Sequence, residues 1–89
     1  MTSLQEKGIK VIAAVSEALN YRKNNKAASE EKILNHILKF VKSPEYKQDK
    51  ENAVAGVSFA LKLLERNPKL KDREVISQVM LSLDKIIVN

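Results

Sequence analysis

Residues 11–42 align with residues 53–84 without a gap, at an offset of 42. Six of the 32 pairs are identical: Ala13/Ala55, Val15/Val57, Ser16/Ser58, Ala18/Ala60, Leu19/Leu61 and Asn25/Asn67. Chance would supply roughly two, taking about 5–7% identity per pair from average residue usage. Close substitutions fall on further apolar positions, among them Ile12/Val54, Ala14/Gly56, Ile33/Val75, Leu34/Ile76 and Ile37/Val79. A repeat of this period means one supersecondary unit used twice, each copy burying the apolar face that the other cannot cover alone. In a chain of 89 residues it leaves only a few outside the repeat.

Each unit reads as a helical hairpin. Helix 1 is predicted from about Leu4 to Tyr21, opened by a capping box of Ser3 and Glu6, with Leu4, Val11, Ile12, Val15, Ala18 and Leu19 on one side. Asn24-Asn25 breaks it. Ser29 caps helix 2, whose first turn carries Glu30 and Glu31 and whose predicted buried stripe is Ile33, Leu34, Ile37, Leu38 and Val41. Ser43-Pro44-Glu45 is a start signal, so helix 3 begins there or one turn later at Asp49, and it ends near Arg66. Asn67-Pro68 breaks the chain again. Lys71-Asp72 opens helix 4, with the stripe Val75, Ile76, Val79, Met80, Leu83, Ile86 and Ile87. Gly8 and Gly56 both fall inside helices; Gly56 stands where the first unit has Ala14, which points to close helix–helix approach.

No segment alternates apolar and polar residues long enough for a strand. The expected fold is therefore all-α: four helices from two tandem related hairpins, about residues 4–42 and 46–88 of a single helical domain spanning 1–89. Such units close into a compact bundle or stack as a HEAT-like pair. Two repeats are fewer than stacked arrays usually need, which favours the bundle.

The chemistry of enzymes is sparse. There is no cysteine and a single histidine, so a thiol nucleophile, a disulfide framework and a zinc knuckle are excluded. His36 is expected to be a polar flank of helix 2, its repeat position holding Gln78. No Gly-rich phosphate loop or nucleophile elbow occurs. We expect no catalytic residue, no metal, no cofactor and no enzymatic activity. The longest apolar runs, Val11 to Val15 and Ala53 to Val57, are far short of the roughly 20 residues of a membrane span. Met-Thr-Ser-Leu-Gln-Glu-Lys lacks the order of a signal peptide, so a cytoplasmic protein without membrane contact is expected.

The repeat also turns the net charge of +5 into a location. The two intra-hairpin connections are equivalent and should lie at one end of the molecule. Residues 21–26 contribute +3 through Arg22, Lys23 and Lys26; residues 66–73 contribute +3 through Arg66, Lys69, Lys71 and Arg73 against Asp72. The opposite connection, Lys42 to Glu51, is neutral. Clustered cations produce the field that nucleic-acid backbone or an acidic protein surface requires, so these seven residues are the candidate contacts. Tyr21, Asn24 and Asn25 could add a stacking face and hydrogen bonds.

A second surface is apolar. On helix 3, Phe59 and Leu63 lie nearly opposite the stripe of Val54, Val57, Leu61 and Leu64, with Ala55 and Gly56 beside them; the first unit has Glu17 and Tyr21 at the matching positions. On helix 4, Leu81 replaces Lys39 on the outward side. A helix apolar on two sides sits inside its fold or docks onto something else, so Phe59, Leu63 and Leu81 are candidate partner contacts, for a larger protein or for a second copy in a homodimer.

The second half, from Ala53-Val54-Ala55-Gly56 through Leu61, Leu64 and Asn67-Pro68 into a last amphipathic helix, resembles the tandem-hairpin pattern of small archaeal proteins of this length. It departs from that pattern where Leu70-Lys71 replaces a second proline. Size, helicity, basic charge and absence of cysteine are also similar to the accessory subunits that associate with archaeal family B replicative DNA polymerases. That resemblance implies a non-catalytic interaction subunit of a nucleic-acid-processing complex, most concretely a DNA polymerase, and carries over no functional residue. The alternative reading is a stand-alone basic nucleic-acid-binding protein acting as a homodimer.

Overall fold

The computed structural model describes residues 3–87, and side chains from Glu6 onward. The expected Ser3–Glu6 capping box and the Leu4 contact rest on side chains outside the described ones. Among the described residues four helices have ten residues or more: α1 (Ser3–Asn24), α2 (Glu30–Phe40), α3 (Lys50–Arg66) and α4 (Asp72–Leu81). A single turn, α5 (Leu83–Ile86), follows. Among the described residues there is no strand.

Local chemistry accounts for most helix ends. Helix α1 runs one turn past the predicted end at Tyr21. Arg22 and Lys23 occupy its last turn, where the negative end of the helix dipole favours cations. Asn25 Nδ2 also donates to the otherwise orphaned carbonyl of Tyr21 at 2.9 Å. Ser29 caps α2 as expected, its hydroxyl accepting from the Lys32 N–H at 3.2 Å. At α4 no side-chain oxygen caps the helix, but Glu74 Oε1 accepts from the Lys71 N–H at 2.8 Å.

The Ser43-Pro44-Glu45 signal makes a separate 3₁₀ turn, Pro44–Tyr46, and α3 starts only at Lys50. The reason is Tyr46, which is buried to 4% exposure. Its ring meets Phe40 at 5.4 Å in a tilted pair, and the Lys10 ammonium stands 4.9 Å from its centroid. Drawing that ring inward bends the chain before the helix can begin.

Helices α1 and α3 form the central pair, α2 and α4 each pack on both, and α5 rests on α3 and α4. The core comprises Val11, Ala14, Val15, Ala18 and Leu19 of α1, Ile33 and Ile37 of α2, and Ala53, Val57, Ala60, Leu61 and Leu64 of α3. Val75 and Val79 of α4, Val41, Tyr46, Ile86 and Ile87 complete it. Each fully buried branched side chain contributes roughly 1.5–3 kcal/mol relative to exposure. The seam between α1 and α3 is built from small residues, and at Gly56 a methyl group would overlap Val11 Cγ1. Gly56 is thus a site of close approach, in agreement with the substitution of Ala14 by glycine.

Three expectations are corrected. The last helix is interrupted at Ser82 (φ −109°, ψ 13°), and the one-turn α5 that follows brings Ile86 and Ile87 onto the core beside α3. Leu38 and Met80 leave the predicted buried stripes, at 39% and 57% exposure. Each sits about 100° around its helix from a fully buried neighbour, Ile37 and Val79, beyond the arc that the central pair covers. Val54 and Leu34 are only half-buried at the rim.

Candidate functional site

The two connections expected to share an end do so. Lys23 Nζ at the end of α1 lies 3.9 Å from Asp72 Oδ2 at the start of α4. A depression between them is lined by Arg22, Ala28, Glu30, Ile33, Leu61, Leu64, Glu65 and Pro68. This end carries the cations Lys23, Lys26, Arg66, Lys69, Lys71 and Arg73, all exposed, while Arg22 is half-buried. It is less one-sided than the two connections alone imply. The first-turn acids Glu30 and Asp72, placed where the helix dipole favours negative charge, and Glu65 in the last turn of α3 lie among the cations. The cations also divide into neighbourhoods. Arg22 lines the central depression, Lys26 a second one beside α2, and Arg73 a third with Leu70, Glu74, Ser77 and Gln78.

The second depression, about 300 Å³, is lined by Tyr21, Asn25, Lys26, Ala27, Ala28 and Lys32. Behind it stands a cluster that sequence reasoning missed. His36 of α2 stacks on Tyr21 of α1 with centroids 4.2 Å apart and planes 16° from parallel. Its Nε2 lies 2.7 Å from Glu17 Oε2. The bland polar flank assigned to His36 is thus a part-buried bridge from α2 to α1. The available signal lay in the offset of 42: at that spacing Glu17, Tyr21 and His36 stand against Phe59, Leu63 and Gln78.

Of the proposed partner contacts, Phe59 and Leu63 are half-buried and pack against the core, whereas Leu81 is 74% exposed. The structure adds an apolar groove between the start of α1 and the end of α4, about 400 Å³, lined by Gly8, Ile9, Ile12, Met80 and Leu83. Ile9 and Met80 are 64% and 57% exposed. Sequence reasoning had placed Met80 in the core and had not singled out Ile9.

Burial pushes the Tyr46 phenol above its ordinary value, and the carboxylates of Glu45, Asp49 and Glu17 push it the same way. Among the described residues, no group of three or more His, Cys, Asp or Glu is placed to hold a metal ion. No helix among them is long and apolar enough to cross a membrane.

The chain matches no protein-family model, no curated protein and no solved structure.

Proposed function

We propose that the protein is a non-catalytic interaction subunit of a nucleic-acid-processing complex, most concretely an accessory subunit of a DNA polymerase. The observation that carries this reading is the separation of two surfaces on one small helical scaffold. Ile9, Met80 and Leu81 stand exposed on α1 and α4, the first two lining an apolar groove, while the cations gather where α1 and α3 end. Large apolar side chains left in water beside a groove suit a protein partner. Exposed lysines and arginines suit a polyanion that the same partner holds. We further propose that the scaffold is two related hairpins. In support, α1 and α3 end at Asn24 and Arg66, and α2 and α4 begin at Glu30 and Asp72, each pair 42 residues apart.

The test is affinity purification of the chain from its native host, with mass spectrometry of what accompanies it. The expected outcome is a polymerase or another nucleic-acid-processing subunit as the dominant partner, released by Met80→Glu or Leu81→Glu with helicity unchanged. Recovery of the chain alone, at monomer mass, would overturn the proposal. A stand-alone nucleic-acid-binding homodimer would instead show twice the monomer mass with no second protein accompanying it.

A further inference from the structure

The depression beside α2 has a chemistry of its own. Its lining includes one aromatic residue, Tyr21, two lysines, Lys26 and Lys32, and Asn25. At about 300 Å³ it is at the lower end of the size of small-molecule sites. The ring is held from behind: His36 stacks on it, and Glu17 in turn engages the imidazole at 2.7 Å. A ring fixed in this way loses little freedom when another ring stacks on it, so a planar ligand meets a preorganised surface. Lys26 and Lys32 are both exposed, and neither carboxylate of the adjacent first turn, Glu30 or Glu31, lines this depression. A planar group against Tyr21 and an anion between two ammonium groups together describe a nucleotide.

We propose that this depression binds one nucleotide of a single-stranded nucleic acid, the base against Tyr21 and a phosphate between Lys26 and Lys32. The inference rests on the reading that the cation-bearing end faces nucleic acid, and it assigns that reading to particular side chains. The second unit lacks the equivalent site, because Leu63 stands for Tyr21, Pro68 for Lys26 and Glu74 for Lys32. One molecule therefore offers one such site.

His36 provides the probe, since its ring protons are the only histidine signals in the chain and it touches Tyr21. The full chain is titrated with a short oligothymidylate at low salt, following the His36 ring resonances by NMR and affinity by fluorescence anisotropy. The expected result is a saturable His36 shift. Lys26→Glu with Lys32→Glu should lower the slope of log affinity against log salt by about 0.7, one phosphate contact on a single strand. Tyr21→Leu, which installs the residue found at the paired position, should weaken binding by roughly tenfold, as expected from the loss of one base–aromatic stack. If the oligonucleotide binds but these variants leave affinity unchanged while Lys69→Glu with Lys71→Glu abolishes it, this site is wrong and the cation-bearing end still contacts nucleic acid. If nothing binds at low salt, both readings fail. If inorganic phosphate shifts His36 with the same affinity as the oligonucleotide, the site is a simple anion site and the nucleotide proposal is overturned.

Discussion

Val11 and Gly56 are in direct contact across the α1–α3 seam, with no room between them for a single added methyl group. In an uncrowded helix interior, alanine is better than glycine by about 0.8–1.0 kcal/mol. At this position the sign should reverse. Gly56→Ala is expected to destabilise the protein by about 1–3 kcal/mol, the usual cost of overpacking a filled core. Adding Val11→Ala should recover part of that loss, because it removes the Cγ1 methyl that collides. Urea denaturation followed by circular dichroism checks both. A stabilised single variant would mean that α1 and α3 lie farther apart than the structure has them.

Ile37 and Leu38 are neighbours in α2 with opposite surroundings, fully buried and 39% exposed. Ile37→Ala should cost about 2–5 kcal/mol through lost burial and a residual cavity. Leu38→Ala should stay within about 1 kcal/mol, closer to the behaviour of surface substitutions. Thermal unfolding of the two variants measures the difference. Equal losses would show that the arc covering α2 is wider than two neighbouring helices provide.

The regular parts of the fold were legible because they repeat. Val11, Val15, Ile33, Ile37, Val57, Leu61, Val75 and Val79 recur at helical spacing and are all buried. The Ser29 cap needs only local chemistry, and Gly56 was visible as a departure from Ala14. Features that depend on how helices face each other were not legible. Ser82 interrupts the last helix without a proline or glycine to mark it. Ile9 and Met80 are apolar residues at ordinary helical positions, and only the rotation of α1 relative to α4 leaves them in water. Glu17 and His36 are 19 residues apart and meet only once α1 and α2 are packed.

That meeting can be tested by a double-mutant cycle. The pair is part-buried, with both side chains 32% exposed, so its coupling should be modest. Glu17→Ala and His36→Gln together are expected to be less destabilising than the sum of the two single changes by about 0.5–1 kcal/mol. Strict additivity would show that the two groups do not meet in solution.

Tyr46 makes a prediction about alkaline pH. Its phenol has a folded-state value raised above 10, first through burial and then through Glu45, Asp49 and Glu17. The folded protein therefore holds this proton more tightly than the unfolded chain does. The corresponding stability is complete below pH 10 and is lost as pH rises from there through the folded value. Lysines titrate in the same range, so the informative quantity is the difference between the protein and Tyr46→Phe, which keeps the ring beside Phe40 and Lys10. The stability of Tyr46→Phe, measured by urea unfolding from pH 8 to 11.5, should fall less steeply above pH 10 than that of the unaltered chain. Parallel curves would mean that the phenol ionises as readily in the folded protein as in the unfolded one, and that its burial in the 3₁₀ turn before α3 does not oppose the charge.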